Sequence, residues 1–194
     1  MRIIAGQNRG LRLAEIGAGD PAAHLRPTTD RVRETLFNVL RNWIDFQDIK
    51  VLDLFAGTGA LGLEAISRGA GRCIFVEKNA LVAEAMRKTM DKCGITKEES
   101  PIAVADAISF LRGIASEQYP NDMPKQWDCI FCDPPYAARL LNPVTDAIIM
   151  NTALKPGGLF VAEHDRIETI TQHSLTHLTT LAFGVTLVDI FQSA

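Results

Sequence analysis

The sequence has 194 residues, of which 47% are hydrophobic and 22% are charged, and its formal net charge is −3. This length and balance predict one folded domain and exclude a disordered chain. No apolar run approaches the ~18 residues that span a bilayer, and the first residues lack the apolar centre of a signal peptide, so the predicted location is cytoplasmic. The four cysteines are predicted to be buried thiols without a metal or a disulfide, because Cys129 and Cys132 would face opposite sides of one strand.

The first 41 residues differ in charge from the rest of the chain. They contain seven arginines and four acids, a net charge of +3, whereas residues 42–194 contain thirteen bases and nineteen acids, a net charge of −6. Guanidinium groups suit bidentate contact with phosphate, so this segment is a candidate RNA-binding surface; a solvated face is the alternative.

The same segment contains two predicted local structures. The runs RIIAG and LRL flank residues 7–10 and predict a small hairpin. Residues 26–44 predict an amphipathic helix, with Thr29 or Asp30 available as the N-cap. The predicted apolar stripe of this helix consists of Val32, Leu36, Val39, Leu40 and Trp43.

From residue 50 onward, short apolar runs alternate with helical patterns. Strands are predicted at 50–55, 72–77, 101–106, 127–133 and after the Gly157-Gly158 turn, and helices at 60–68, 79–93, 107–115 and 138–151. This alternation is typical of a parallel, doubly wound α/β sheet. The last two β-prone runs, 178–184 and 185–191, are nearly contiguous and predict an antiparallel C-terminal hairpin at the sheet edge.

The stretch DLFAGTGALG follows the first predicted strand. Its glycines at 57, 59 and 62 match the pattern G-x-G-x-x-G, and Glu77 lies twenty residues beyond the first of them. A nicotinamide or flavin enzyme is therefore one candidate. Asp53 argues against it, because a carboxylate at this position repels a pyrophosphate and attracts an amino group and a sulfonium. Those two charges belong to S-adenosylmethionine.

This loop resembles the first motif of class I methyltransferases. The resemblance implies a Rossmann-like, seven-stranded class I methyltransferase sheet with S-adenosylmethionine as the cofactor. It also implies that Glu77 accepts both ribose hydroxyls and that Asp106 faces the adenine amino group. The predicted cofactor-binding residues are Asp53, Phe55, Ala56, Gly57, Thr58, Gly59, Glu77, Lys78, Asp106 and Ala107.

The fourth predicted strand ends in DPPY, residues 133–136. An exocyclic amine is a weak nucleophile because its lone pair is delocalised, and Asp133 and the Pro134 carbonyl can each accept one of its N–H groups and localise that lone pair. Pro135 removes a competing donor, and Tyr136 offers a face on which a flipped base can stack. The motif resembles that of amino-methyltransferases, which act on adenine N6, cytosine N4, guanine N2 or protein glutamine. The predicted catalytic residues are Asp133, Pro134, Pro135 and Tyr136.

Two N-terminal stretches narrow the substrate by resemblance. RPTTDRVRETLFN, residues 26–38, and RIIAGQNRGLRL, residues 2–13, are similar to signatures of the bacterial 16S rRNA guanine-N2 methyltransferase family. The resemblance covers nearly the whole chain and implies methylation of one guanine, of the 966 type, on an assembling small ribosomal subunit. Phosphate contacts are predicted for Arg9, Arg12, Arg26, Arg31 and Arg33.

The sequence therefore predicts a methyltransferase domain at 46–194, preceded at 1–45 by a hairpin-and-helix extension that binds RNA, in a monomer without a metal. Four alternatives remain open. A DNA adenine enzyme would need a target-recognition domain, and a protein glutamine enzyme usually has Asn where Asp133 stands. A nicotinamide oxidoreductase conflicts with Asp53, and a non-catalytic RNA-binding module conflicts with an intact DPPY.

Overall fold

A seven-stranded sheet forms the centre of the computed structural model, which describes residues 1–14, 29–116, 118–119, 122–171 and 174–194. Its strands are β1 (Lys50–Asp53), β2 (Arg72–Val76), β3 (Ile102–Ala103), β4 (Trp127–Cys132), β5 (Leu154–Asp165), β6 (Leu175–Phe183) and β7 (Thr186–Ser193). The helices are α1 (Asp30–Leu40), α2 (Ala60–Ser67), α3 (Ala80–Lys92), α4 (Ala107–Ala115) and α5 (Leu141–Met150).

The strand order is β3-β2-β1-β4-β5-β7-β6. The first five strands of this order are parallel, whereas β7 is antiparallel to both β5 and β6. This arrangement confirms the predicted Rossmann-like sheet with its antiparallel C-terminal hairpin. It also brings the carboxyl ends of the five parallel strands to one edge, where α/β proteins bind their ligands.

Side chains alternate between the two faces of the sheet. Val51 and Phe131 belong to the apolar core on the face covered by α1, α2 and α3, whereas Leu52 and Ile130 belong to the core beneath α4 and α5. The strands are buried on both faces and consequently consist of nearly continuous apolar residues. Cys73, Cys129 and Cys132 are buried as predicted, with Cys129 and Cys132 in different cores, whereas Cys93 is only half-buried.

The N-terminal hairpin is attached to α2. Arg2 and Arg12 form an isolated antiparallel bridge, and the carboxylate of Glu64 in α2 accepts the backbone N–H groups of Ile4 (2.7 Å) and Ala5 (3.1 Å). Glu64 is fully buried, so these charge-assisted bonds compensate for its desolvation.

Helix α1 packs on the same face of the sheet. Thr29 is its N-cap and accepts the N–H of Val32, as predicted. The ring of Phe37 lies 5.7 Å from that of Phe131 in β4 and is fully buried, although the predicted apolar stripe did not include it. The helix is shorter than residues 26–44 because its regular part ends at Leu40.

The structure contradicts one of the predicted RNA contacts. Arg33 is fully buried in α1, where its guanidinium donates to the carbonyl of Arg2 and to Asp30 at 2.9 Å. Burial lowers the pKa of Arg33, and Asp30 partly offsets this effect. The prediction that Arg33 contacts phosphate is wrong, because this polar side chain faces the interior of the protein and not solvent. Arg26 lies outside the described residues.

Several element lengths also differ from the sequence-based expectation. The strand predicted at 101–106 has two residues, and the helix predicted at 138–151 begins at Leu141, after a short 3₁₀ turn at Tyr136–Ala138. Strand β5 runs through Gly157 and Gly158, with an irregular register opposite β4. None of the helices in the described part of the chain has the length and apolar character required to span a bilayer.

Candidate active site

Five acidic side chains lie at or near the carboxyl ends of the five parallel strands. In the order of the strands across the sheet they are Asp106, Glu77, Asp53, Asp133 and Glu163. Four of them were predicted as site residues, and Glu163 was not. The two central acids, Asp53 and Asp133, terminate adjacent strands, because the register of β1 and β4 pairs Asp53 with Phe131.

The glycine loop connects β1 to α2. Gly59 is the N-cap of α2 with φ +79°, a left-handed conformation that favours glycine. A Cβ on Gly62 would lie 2.3 Å from the ring of Phe75, so glycine permits close packing of α2 on β2. Asp53 accepts the N–H of Gly62 at 2.9 Å and thereby fixes the loop to the strand.

Asp53, the last residue of β1, is a buried acid directly before the glycine loop. It is 3% exposed, and burial raises its pKa to about 7, an effect that the Gly62 N–H opposes and that Glu77 reinforces. A nearby cation would stabilise the ionised form of this buried carboxylate.

Glu77 follows β2 and supports the loop from the neighbouring strand. Its Oε2 accepts the N–H of Gly57 at 3.0 Å, and its Oε1 accepts the N–H of Asn79 at 2.8 Å. Asn79 in turn caps α3. A carboxylate has about four acceptor positions, so these two bonds leave capacity for ligand hydroxyls.

The remaining predicted cofactor residues lie around these acids. Asp106 is the N-cap of α4 and accepts the N–H of Ser109 at 3.0 Å. The others differ in exposure: Ala56, Thr58 and Ala107 are buried, Phe55 is half-buried and Lys78 is exposed. The structure thus brings the predicted residues to one edge, with Lys78 at its surface.

Asp133 lies at the end of β4, followed by Pro134 and Pro135. Burial raises its pKa well above the usual range of an aspartate, and the carboxylates of Glu163 and Asp53 raise it further. Three acidic groups therefore influence one another in this part of the site. The residues present fit a ligand that brings positive charge and N–H donors.

Tyr136 is held by two residues from distant parts of the chain. Its hydroxyl donates to Oε1 of Glu163 at 3.0 Å and lies 3.2 Å from Oγ1 of Thr186, the first residue of β7. Burial raises the pKa of Tyr136, so the phenol stays protonated at neutral pH. These contacts fix the orientation of the ring that was predicted to stack on a base.

Sequence reasoning missed Glu163 and Thr186. Glu163 had a usable signal, because it follows the apolar run LFVA as Asp53, Glu77 and Asp133 follow theirs. Thr186 had none, since its contact with Tyr136 spans fifty residues and depends on the pairing of β5 with β7.

The sheet order, the antiparallel hairpin and the acids at its carboxyl edge define a class I methyltransferase fold. A solved Escherichia coli structure, the proposed methyltransferase yhhF, matches 100% of this chain and 97% of its own, with a TM-score of 0.81 and 31% identity. The proposed methyltransferase SMU.776, complexed with SAH, has the same fold at 15% identity, with a TM-score of 0.65 over 84% of this chain and 48% of its own.

Sequence comparison defines the family more closely. The family model described as "Conserved hypothetical protein 95" matches residues 1–192, and the chain belongs to this family. Ribosomal RNA small subunit methyltransferase D of Haemophilus influenzae is 32% identical over 194 residues, covering 100% of this chain and 94% of that protein. The Escherichia coli protein of the same name is 36% identical over 85% of this chain and 75% of its own.

Proposed function

We propose that this protein transfers a methyl group from S-adenosylmethionine to the exocyclic N2 of a specific guanine in 16S rRNA on assembling small subunits. The observation that carries the proposal is the adjacency of Asp53 and Asp133. It puts the acceptor motif DPPY beside the glycine loop, on the two central strands of the sheet. The names of the relatives support an rRNA substrate.

The fit to the cofactor rests on the acids of three adjacent strands. Glu77 would hold the ribose hydroxyls, Asp106 would face the adenine amino group, and Asp53 would complement the positively charged end of the cofactor. The pKa of Asp53, raised to about 7 by burial, is consistent with a carboxylate whose natural neighbour is a cation. When bound, S-adenosylmethionine supplies an activated methyl group.

The acceptor side uses groups at the end of β4. Asp133 and the Pro134 carbonyl each accept one N–H of the guanine amine, which turns its lone pair toward the methyl group and stabilises the developing positive charge. The ring of Tyr136, held by Glu163 and Thr186, provides the stacking surface for a base that has left its helix. The excess proton leaves the amine after attack.

The RNA is expected to lie along the N-terminal extension. Arg9, Arg12 and Arg31 are exposed and available for phosphate contact. The enzyme is expected to act as a monomer in the bacterial cytoplasm, without a metal.

In vitro methylation with labelled S-adenosylmethionine tests the proposal. The purified protein is incubated with small subunits from cells that lack it, and the rRNA is digested and analysed by nucleoside mass spectrometry. The expected product is N2-methylguanosine, at one position of 16S rRNA. Asp133→Ala should lower the rate at least ~100-fold while it leaves cofactor affinity nearly unchanged, because the partner of Asp133 is the acceptor amine.

Three results would contradict the proposal or the role that it gives to Asp133. Label in N6-methyladenosine or in protein glutamine would establish a different acceptor for the same chemistry. Tight NADH binding without binding of S-adenosylmethionine would exclude methyl transfer as the reaction. Equal losses of cofactor affinity and rate in the Asp133 variant would indicate a structural role for that residue.

A further inference from the structure

Glu163 is a buried acid beside the acceptor motif. The parallel register pairs Cys132 of β4 with Ala162 of β5, so the next residues along the two strands are Asp133 and Glu163. Glu163 is 7% exposed, and its charge raises the pKa of Asp133. Two carboxylates at this spacing repel each other, a cost that is offset when both accept hydrogen bonds from one ligand.

The orientation of Glu163 is fixed by Tyr136. The tyrosine hydroxyl donates to Oε1 at 3.0 Å, which ties the carboxylate to the ring proposed to stack on the base. A carboxylate can accept about four hydrogen bonds, so this contact is compatible with a further donor from the substrate. The same base would therefore meet Tyr136 on its face and Asp133 and Glu163 on its edge.

We infer that Glu163 determines the specificity for guanine by accepting the N1–H of the base while Asp133 and the Pro134 carbonyl accept the N2 amine. This inference rests on the proposed function. The N1–H and the N2 amine are neighbouring donors on the edge of guanine, and two adjacent carboxylates complement them. In adenine and cytosine, the ring nitrogen next to the exocyclic amine is an acceptor, which a carboxylate repels.

Glu163 would allow a motif shared by several amino-methyltransferases to select one substrate. Asp133 and the Pro134 carbonyl of DPPY contact only the amine, which guanine has in common with adenine and cytosine. The additional acceptor on the neighbouring strand distinguishes a protonated from an unprotonated ring nitrogen. A site built to pair with a substrate N–H discriminates against an analogue that lacks it, because the buried carboxylate then faces the lone pair of an unprotonated ring nitrogen.

The test compares guanine with 2-aminopurine at the target position of reconstituted subunits. 2-Aminopurine keeps the N2 amine but has no proton on N1. The wild-type enzyme should prefer guanine in kcat/KM by about 10- to 100-fold, the scale of one hydrogen bond to a charged group. In Glu163→Gln the amide can donate to N1 of 2-aminopurine, so the preference should fall to about threefold or less.

Two further variants separate recognition from positioning. Glu163→Asp keeps a carboxylate and should retain most of the preference. Tyr136→Phe removes the hydroxyl that contacts Glu163 but keeps the carboxylate, so its preference should stay near the wild-type value even where its rate falls. Calorimetry with S-adenosylmethionine and a thermal melt establish that each variant is folded, and Glu163→Asp replaces Glu163→Gln as the deciding comparison if the latter does not fold.

The outcomes distinguish this inference from the function on which it rests. If the wild-type enzyme forms N2-methylguanosine but Glu163→Gln loses rate equally on both bases, Glu163 only positions Tyr136 and the inference is overturned. If Glu163→Asp must decide, loss of the preference for guanine in that variant, which keeps the carboxylate, has the same meaning. If the wild-type enzyme forms no N2-methylguanosine, the proposed function fails and the inference fails with it.

Discussion

Glu77 accepts the N–H of Gly57 at 3.0 Å and so joins the end of β2 to the glycine loop that follows β1. The carboxylate thus accepts a hydrogen bond from the loop in addition to those proposed from the ribose hydroxyls of the cofactor. Glu77→Ala should weaken S-adenosylmethionine binding by about 1.5–3 kcal/mol, the scale for losing hydrogen bonds to a charged group. Isothermal titration calorimetry measures this change.

A matched control for this variant is Asp91→Ala, which removes an exposed acid of α3 away from the loop. Its cofactor affinity should stay within about 0.5 kcal/mol of the wild type. Equal affinities of the Glu77 and Asp91 variants would mean that Glu77 is not a cofactor ligand.

The pKa of Asp53 predicts a pH dependence of cofactor binding. Burial raises this pKa to about 7, so below neutrality the free enzyme carries a neutral carboxyl at this position. A cationic ligand favours the ionised form, so binding near pH 6 must release a proton and is weaker than binding at pH 8. Calorimetry in buffers of different ionisation enthalpy measures both the release and the change in affinity.

Asp53→Asn is the matched variant, because its amide oxygen can still accept the Gly62 N–H that Asp53 accepts at 2.9 Å. It should bind the cofactor more weakly and with a smaller pH dependence. If the wild type binds the cofactor equally well at pH 6 and pH 8 and releases no proton, Asp53 does not contact the charged end of the cofactor.

The parts of the site that follow strand ends were predictable from the sequence. Asp53, Glu77 and Asp133 each end an apolar run, and parallel strands bring such ends to one edge of the sheet. The partners of these acids were not predictable. The bond between Tyr136 and Thr186 depends on which strand pairs with β5, and no local pattern near either residue encodes that choice.

Arg33 illustrates a different limit. Its charge led to the prediction that it is exposed and contacts phosphate. In the structure its guanidinium is buried and donates to the carbonyl of Arg2, which links α1 to the N-terminal hairpin. Composition can identify a basic segment, and only packing decides which of its arginines face outward. Phe37 lies outside the predicted apolar stripe of α1 and is nevertheless fully buried, so the helix packs against the protein on a wider face than predicted.

The contrast between Arg33 and Arg31 gives a stability prediction within one helix. Arg33 is fully buried and bonded to Asp30 and Arg2, whereas Arg31 is exposed. Arg33→Ala should lower the free energy of unfolding by about 2–3 kcal/mol, through lost hydrogen bonds and lost packing of its aliphatic stem. Arg31→Ala should change it by less than about 0.5 kcal/mol. Urea denaturation measures both, and equal effects would contradict the burial of Arg33.

The exposed arginines of the N-terminal segment are predicted to bind RNA. Arg9, Arg12 and Arg31 are exposed in a segment whose net charge is +3, in contrast to −6 for the remainder. Each phosphate contact releases counterions, so each alanine substitution should lower the slope of log affinity against log salt by roughly one unit. The triple variant should keep its fold, because none of the three side chains is buried, and should keep its affinity for S-adenosylmethionine.

Arg112→Ala is the control, since Arg112 is an exposed arginine of α4 on the opposite face of the sheet. Binding of assembling small subunits is measured over a series of salt concentrations for the wild type, the triple variant and this control. The triple variant should lose affinity most clearly at low salt, while the control follows the wild type. A triple variant with unchanged KM and unchanged salt dependence would show that the basic segment is a solvated face, with RNA bound by another part of the protein.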